Sequence, residues 1–123
     1  HKSATTQYEA TTKIIEKEIS TGRYIIVAEK PAIVSPLGLI PKSDGGNRLI
    51  HDCSMPHNGY SLNDQSVVLD KQSYESVDSV VEMLKPGSFM AVVDIKSAYR
   101  SVAIHPSSYD AAGIQWIING VPR

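Results

Sequence analysis

The sequence predicts an α+β chain on three observations. Two stretches place apolar side chains at helical spacing, one around Ile15 and one around Val80. A glycine-rich turn at Gly45 and Gly46 separates two short apolar segments, which predicts a β-hairpin. A continuous apolar run of strand length covers residues 89–93. Helices and an antiparallel sheet are therefore expected in one chain.

The first predicted helix ends near residue 22. Tyr8, Thr12, Ile15 and Ile19 recur at helical spacing and would lie on one face. Gly22 follows that face and is predicted to end the helix in the left-handed conformation.

The predicted hairpin covers residues 36–52. Residues 43–46 (SDGG) supply the turn, because Asp-Gly and Gly-Gly reach positive φ at low cost. Lys42 enters the turn and Arg48 leaves it. Two cations on a mobile loop can close over phosphate oxygens, and the alternative is that both are ordinary solvated charges.

The segment after the hairpin has the composition of a loop over residues 53–73, with one short apolar run at residues 67–69. Four side chains at the end of the hairpin and the start of this segment could form a metal site, although their spacing is not that of a structural zinc site. They are His51, Asp52, Cys53 and His57.

A second helix is predicted over residues 76–85. Its apolar residues recur at i, i+3, i+4 and i+7 from Val77. Ser73 or Ser76 would cap its start, and residues 85–87 (KPG) would end it.

The apolar run at residues 89–93 is predicted to be a central strand buried on both faces. Asp94 follows it directly, where sheet proteins place functional groups. A carboxylate there is a metal ligand, a catalytic group or a cap for the following turn. Tyr99, at the end of that turn, is predicted to be half-buried.

Near the end of the chain, Asn119 and Gly120 give a strong hairpin signal. Three residues follow, and Pro122 cannot donate to a ladder. We therefore predict that the returning strand is missing. An unpaired C-terminal strand would pair with another copy, which predicts a homo-oligomer.

Composition narrows the function classes. The 123 residues are 41% hydrophobic and 20% charged, with 12 Lys and Arg against 13 Asp and Glu, so this is no polybasic module and phosphate binding must depend on a few placed side chains. No apolar run approaches the roughly 18 residues that cross a bilayer, so no membrane partner is expected. The lone Cys53 and a start without a signal-peptide pattern favour an intracellular protein, cytoplasmic or nuclear.

Three segments, in this order, resemble motifs of retroelement reverse transcriptases. Residues 35–52 resemble the fingers hairpin, residues 61–64 (SLND) resemble the loop that follows it, and residues 93–106 resemble the first catalytic motif with its continuation. Together with the helix end at residues 22–24 and the strand at residues 115–116, they look most like tyrosine-recombinase, DIRS-like retrotransposons.

The resemblance implies a fingers hairpin and helices plus the first part of an antiparallel palm sheet, with the chain ending before the catalytic hairpin. A fingers-like region would occupy residues 1–88, with the N-terminal helix, the hairpin at 36–52 and the helix at 76–85. A partial palm with the first catalytic motif would occupy residues 89–123.

The resemblance also implies an RNA-directed DNA polymerase, a nucleotidyltransferase that uses two Mg²⁺ ions to clamp the oxygens of an in-line phosphoryl transfer. Asp94 would be catalytic and would bind both ions, and the backbone carbonyl of Ile95 would hold one. Arg48 would bind the triphosphate, with Lys42 as a point charge. Backbone N–H groups near Ser97 and Ala98 would also contact the triphosphate. Tyr99 would stack under the sugar and exclude a 2′-hydroxyl.

The partners implied for the full protein are a template–primer of RNA or DNA and a deoxynucleoside triphosphate. The sequence contains no Tyr-x-Asp-Asp motif, and one aspartate cannot replace three carboxylates around two metal ions. We therefore expect the 123-residue chain not to polymerise by itself. The alternative is a domesticated module that keeps this scaffold and binds nucleic acid or a protein without catalysis.

Overall fold

The fold is taken from a computed structural model that describes residues 1–57, 59–67 and 73–123. In chain order the elements are α1 (Lys2–Thr6), α2 (Tyr8–Ser20), β1 (Leu37–Pro41), β2 (Asn47–His51), α3 (Leu62–Gln65), α4 (Val77–Met83), α5 (Ala98–Ser101), a 3-10 helix (Pro106–Ala111), β3 (Ile117–Ile118) and β4 (Val121–Pro122). Helices mixed with small antiparallel sheets confirm the predicted α+β class. None of the helices in these ranges is long and apolar enough to cross a membrane.

The chain divides into two compact units. The first contains His1–Ser66 and Val102–Arg123, and the second contains Val67–Ser101. The predicted boundary between fingers and palm at residue 88 stays a prediction. Of the apolar run predicted at residues 67–69, residues 68 and 69 lie outside the described residues.

Helix α2 supplies one wall of the core of the first unit. Thr11, Ile15 and Glu18 are its buried residues, and their spacing is that of one helical face. Gly22 has a φ of +71°, and the backbone N–H of Arg23 donates to the carbonyl of Glu18 at 2.9 Å. The predicted left-handed stop after the first helix is confirmed.

Strands β1 and β2 form the predicted hairpin and supply three residues of this core, and α1 supplies Ala4. They pair antiparallel, with Leu39 opposite Leu49 and Ile40 opposite Arg48. Because side chains alternate between the two faces of a strand, Leu39 and Leu49 point into the core while Arg48 points into solvent. The buried apolar residues of the core are Ala4, Ile15, Leu37, Leu39 and Leu49.

The C-terminal hairpin corrects the prediction of a missing strand. Strands β3 and β4 pair antiparallel, and Asn119 and Gly120 have φ values of +52° and +76°, the signs that a type I′ turn requires. Trp116 and Arg123 then exchange two backbone hydrogen bonds of 2.9 and 2.7 Å. The three residues after the turn suffice to close the hairpin, so the unpaired strand from which a homo-oligomer was predicted does not exist.

Both outer edges of this hairpin are blunted. Next to the bonded pair of Trp116 and Arg123, the backbone groups of Ile117 and Pro122 point away from the ladder. Pro122 has no N–H to offer on its edge, and the carbonyl of Ile117 accepts a 2.7 Å hydrogen bond from Tyr8 Oη. Such edges disfavour the addition of another strand.

The second unit contains the predicted helix but not the predicted strand. Helix α4 begins after Ser76, whose hydroxyl accepts from the N–H of Ser79 at 3.1 Å. The run at residues 89–93 lies in no strand, and Phe89 and Val92 are 103% and 97% exposed. A central strand needs a neighbouring strand to pair with its backbone and a packed layer over each face. No strand among the described residues pairs with residues 89–93. The prediction of a buried central strand at these residues is therefore wrong.

Candidate nucleotide-binding site

The tip of the β1–β2 hairpin is closed by three short hydrogen bonds. The N–H of Lys42 donates to the carbonyl of Gly46 at 2.8 Å, and the N–H of Gly45 donates to the carbonyl of Lys42 at 3.1 Å. The N–H of Gly46 donates to Oδ1 of Asp44 at 3.0 Å. Gly45 has a φ of +82°, a conformation that other residues adopt only at a cost. The sequence therefore defines the turn, and the turn fixes the backbone positions from which the side chains of Lys42 and Asp44 extend.

A groove of about 410 Å³ lies along this tip. Its lining residues are Ile40, Pro41, Lys42, Ser43, Asp44 and Arg48. Lys42 and Arg48 are exposed, and within the described part of the chain neither forms an ion pair. A five-donor guanidinium and an ammonium in one groove, both without a carboxylate partner, are suited to bind phosphate oxygens.

The hairpin is braced at its base. Tyr24 Oη and His51 Nε2 share a hydrogen bond of 2.5 Å, and their rings lie 5.6 Å apart. Above this pair, the N–H of Leu39 donates to Ser3 Oγ at 3.1 Å. Helix α1 and the segment after α2 thus hold β1 and β2 in place, so the groove stands on a supported scaffold.

The predicted catalytic aspartate lies in the second unit. Asp94 is exposed and forms no hydrogen bond or ion pair with the described residues, so the alternative that it caps the following turn is wrong. That turn is closed by Ser97, whose φ is +57° and whose carbonyl accepts from the N–H of Arg100 at 2.8 Å. Tyr99 is 98% exposed and not half-buried as predicted.

The site residues predicted from the sequence fall in both units. Lys42 and Arg48 belong to the first unit, where they share one groove. The second unit carries Asp94, Ile95, Ser97, Ala98 and Tyr99 on one short segment that ends in α5. Their assignment to a single nucleotide site stays a prediction.

A resident pair of Mg²⁺ ions needs several carboxylates close together. In residues 1–57, 59–67 and 73–123, no group of three or more His, Cys, Asp or Glu side chains is placed to hold a metal ion. Asp94 offers one carboxylate and Ile95 one carbonyl, which does not complete a two-metal site. These residues alone do not fit the metal pair.

The alternative metal site near the end of β2 is not supported either. The ring of His51 is engaged by Tyr24, and Asp52 Oδ2 lies 2.7 Å from Nε2 of His1. Together with Cys53 and His57 they form no metal-binding group in the described part of the chain.

Residues 61–64 have a structural role that was not predicted. Ser61 and Asp64 form a capping box at the start of α3, in which the N–H of Asp64 donates to Ser61 Oγ and the N–H of Ser61 donates to Asp64 Oδ2, both at 3.2 Å. Ser61 Oγ also donates to Asp64 Oδ2 at 2.7 Å, and this bond is the main reason that the pKa of Asp64 is lowered. The Ser-x-x-Asp spacing, close to the usual Ser-x-x-Glu box, was the signal available.

The groove also contains a carboxylate that was not predicted as a site residue. Asp44 stands between the two cations in sequence, and the Asp-Gly-Gly order that predicted the turn was the signal for it.

Comparison with protein-family models, with curated proteins and with solved structures found no match. A functional assignment therefore depends on the residues themselves.

Proposed function

We propose that this chain is the fingers and N-terminal palm portion of an RNA-directed DNA polymerase, and that its hairpin groove binds the triphosphate of a deoxynucleotide. In the full protein, Asp94 would serve template-directed nucleotidyl transfer together with carboxylates that this sequence does not contain. The partners proposed for the full protein are a primed RNA or DNA template and the incoming nucleotide.

The observation that carries this proposal is the pair of unneutralised cations in the groove. Arg48 and Lys42 line it from the two strand ends of a hairpin whose tip is closed by its own backbone. A planar guanidinium recognises two phosphate oxygens at once, and an ammonium adds a movable charge. The motif order along the chain supports the same reading, because Asp94 follows at the separation that the resemblance leads us to expect.

The test is binding of a deoxynucleoside triphosphate to the 123-residue chain and to Arg48→Ala and Lys42→Ala variants. Arg48→Ala should weaken binding about tenfold, because hydrogen bonds to charged groups contribute roughly 1.5–3 kcal/mol. Lys42→Ala should have a smaller effect, about threefold, since it is a solvated point charge. Isothermal titration calorimetry at low salt gives both values.

Lys13→Ala is the matched control, because it removes one exposed cation from α2, outside the groove. Equal losses in all three variants would show that binding follows net charge alone and would contradict the assignment of the groove. Incorporation of labelled nucleotide on a primed RNA template by this chain would contradict the prediction that it does not polymerise by itself.

A second candidate is an interaction module without catalysis, and one observation favours it. Residues 89–99 expose large apolar side chains, and Phe89, Val92 and Tyr99 are each more than nine-tenths exposed. Large exposed apolar patches mark interaction surfaces, and those for another protein are among them. The module predicts that nucleotide affinity is absent or insensitive to Arg48, so the same titration separates the two functions.

A further inference from the structure

The first unit is assembled from two stretches of the chain that the second unit separates. The chain leaves the first unit after Ser66 and returns to it at Val102. No described residue of the intervening segment belongs to the core of the first unit. The fold of the first unit therefore depends on the contacts that attach residues 102–123 to residues 1–66.

Four hydrogen bonds join residues 32–35 to residues 110–113, and we call this pairing the clasp. Two of the bonds end on Asp110. Its Oδ1 accepts from the N–H of Ala32 at 2.7 Å, and its backbone carbonyl accepts from the N–H of Ile33 at 3.0 Å. The other two are the backbone bonds of a parallel bridge, at 3.1 and 2.9 Å. The clasp thus pairs two segments that are 78 positions apart in the sequence.

Gly113 allows the two segments of the clasp to approach each other. It is buried, its N–H donates to the carbonyl of Ile33, and its carbonyl accepts from the N–H of Ser35. A Cβ at this position would lie 2.7 Å from Cβ of Pro31 and 2.8 Å from the carbonyl oxygen of Ile33. Both distances are shorter than non-bonded atoms allow. The close approach of the two backbones therefore requires a residue without a side chain.

A second contact attaches the end of the returning stretch. The ring of Trp116 stacks on Tyr8, and its Nε1–H donates to Thr12 Oγ1 at 2.9 Å. The returning stretch is thus fixed to the segment before β1 by the clasp and to α2 by Trp116. All of these bonds lie within the first unit.

The second unit has the features of a segment that opens at low cost. None of its described residues is buried. The backbone hydrogen bonds at the start of α4 and in the turn at Ser97 join residues three or four positions apart. A helix of seven residues is marginal without packing. Regions with few buried contacts are the ones that open with the smallest free energies.

We infer that the clasp is a conformational device that uncouples the two units, so that the second unit unfolds or reorganises while the first unit keeps its fold. The hairpin groove belongs to the first unit. It therefore stays formed when the exposed apolar side chains of the second unit rearrange on a partner. This inference concerns the fold, and it does not depend on whether the groove binds a triphosphate.

Hydrogen exchange of the unchanged chain, followed by mass spectrometry, is the first test. The amides of Val77–Met83 should exchange within about tenfold of the unprotected rate, because their helix has no buried face. The paired amides of the β1–β2 hairpin should be slowed at least about a hundredfold. Equal protection of both segments would show that the chain opens as one unit and would overturn the inference.

A cut inside the second unit is the sharper test. The site of a sequence-specific protease is inserted after Gly87, which lies in an exposed turn. After cleavage, the two pieces should sediment together, and the hairpin amides should keep their protection to within about threefold of the uncut chain. Separation of the pieces, or loss of the hairpin protection, would overturn the inference.

Variants test whether the clasp is what joins the cut pieces. Gly113→Val places a side chain in the contact and should weaken their association more than about tenfold. Ala112→Val introduces valine at the exposed neighbouring position and should leave the association unchanged. Asp110→Ala is a milder change, which removes the hydrogen bond to Ala32 and should weaken the association about fivefold. Its control is Asp78→Ala in α4, which should have no effect.

Sedimentation of the cut chain at decreasing concentration gives the dissociation constant for each variant. If both clasp variants associate as tightly as the unchanged pieces, the clasp does not join the two stretches and the inference is wrong. If the two controls weaken the association as much as the clasp variants do, the effect is not specific to the clasp and the inference is wrong as well.

Discussion

The first strand of the hairpin in the first unit and the apolar run of the second unit are similar in composition but have different surroundings. Residues 37–41 and 89–93 are both short runs rich in apolar side chains. In the hairpin, Leu39 is 3% exposed because β2 pairs with β1 and helices α1 and α2 cover the inner face. In the second unit, Val92 is 97% exposed and no described strand pairs with its segment. Hydrophobicity gives a segment the capacity to be a core strand, and a partner strand makes it one.

The contrast also applies to the predicted site residues of each unit. Lys42 and Arg48 stand on a hairpin that is held by a buried core and by Tyr24 and His51 at its base. Asp94 stands on a segment whose described residues include none that is buried. Positioning of a functional group depends on the packing beneath it. Lys42 and Arg48 have a packed support, and Asp94 has none among the described residues of its segment.

The largest expected effect is on core packing. Leu49→Ala should destabilise the chain by about 2–5 kcal/mol, because it removes buried methyl groups and leaves a cavity beneath the hairpin. Val92→Ala should change the free energy of unfolding by less than about 0.5 kcal/mol, since its side chain is already exposed. Urea denaturation followed by circular dichroism measures both. A loss from Val92→Ala as large as that from Leu49→Ala would show that residues 89–93 are packed after all.

An intermediate effect is expected at the contact between α2 and the C-terminal hairpin. Tyr8 stacks on Trp116 with ring centroids 5.5 Å apart and donates from its Oη to the carbonyl of Ile117 at 2.7 Å. Tyr8→Phe keeps the ring and loses the hydrogen bond, which should cost about 1 kcal/mol. Tyr99→Phe is the control, because Tyr99 is 98% exposed and should tolerate the change. Equal stability of both variants would show that the hydrogen bond from Tyr8 to the carbonyl of Ile117 does not stabilise the chain.

The smallest effect concerns the capping box of α3. Because its hydrogen bonds favour the ionised form, the pKa of Asp64 lies below its ordinary value of 3.8. The capping box therefore contributes its full stabilisation above that ordinary value, and the contribution is lost as the pH falls through the lowered pKa. Ser61→Ala removes the main cause, so the pKa of Asp64 should rise. Carboxyl-detected NMR titration of both chains follows it, and an unchanged midpoint would contradict the capping role of Ser61.

Local signals predicted much of the fold. The first helix, its stop at Gly22, the hairpin at residues 36–52 and the helix at 76–85 all follow from periodicity and turn chemistry within one short window. The turn chemistry also predicted that Lys42 and Arg48 flank one turn, and both line the groove there. Their role in nucleotide binding stays a prediction. Asp44 was read as a turn residue alone, since nothing local shows that its carboxylate shares that groove.

Predictions that depended on contacts with another segment of the chain were wrong more often. The run at residues 89–93 was predicted to be a buried strand from its composition, yet burial depends on which segments pack against it. The returning strand after Asn119 was predicted to be missing from a count of residues, whereas the exchange of hydrogen bonds between Trp116 and Arg123 closes it. The contact of Tyr8 with Trp116 joins positions 108 residues apart in the numbering, beyond any local pattern.

The sequence by itself determined the turns, the helix ends and the identity of the charged groups, because each depends on φ preferences and hydrogen bonds within a few residues. Only the tertiary structure decided which apolar runs are buried and which edges are blocked. Those features depend on contacts between segments far apart in the chain, and a local pattern does not specify its partner.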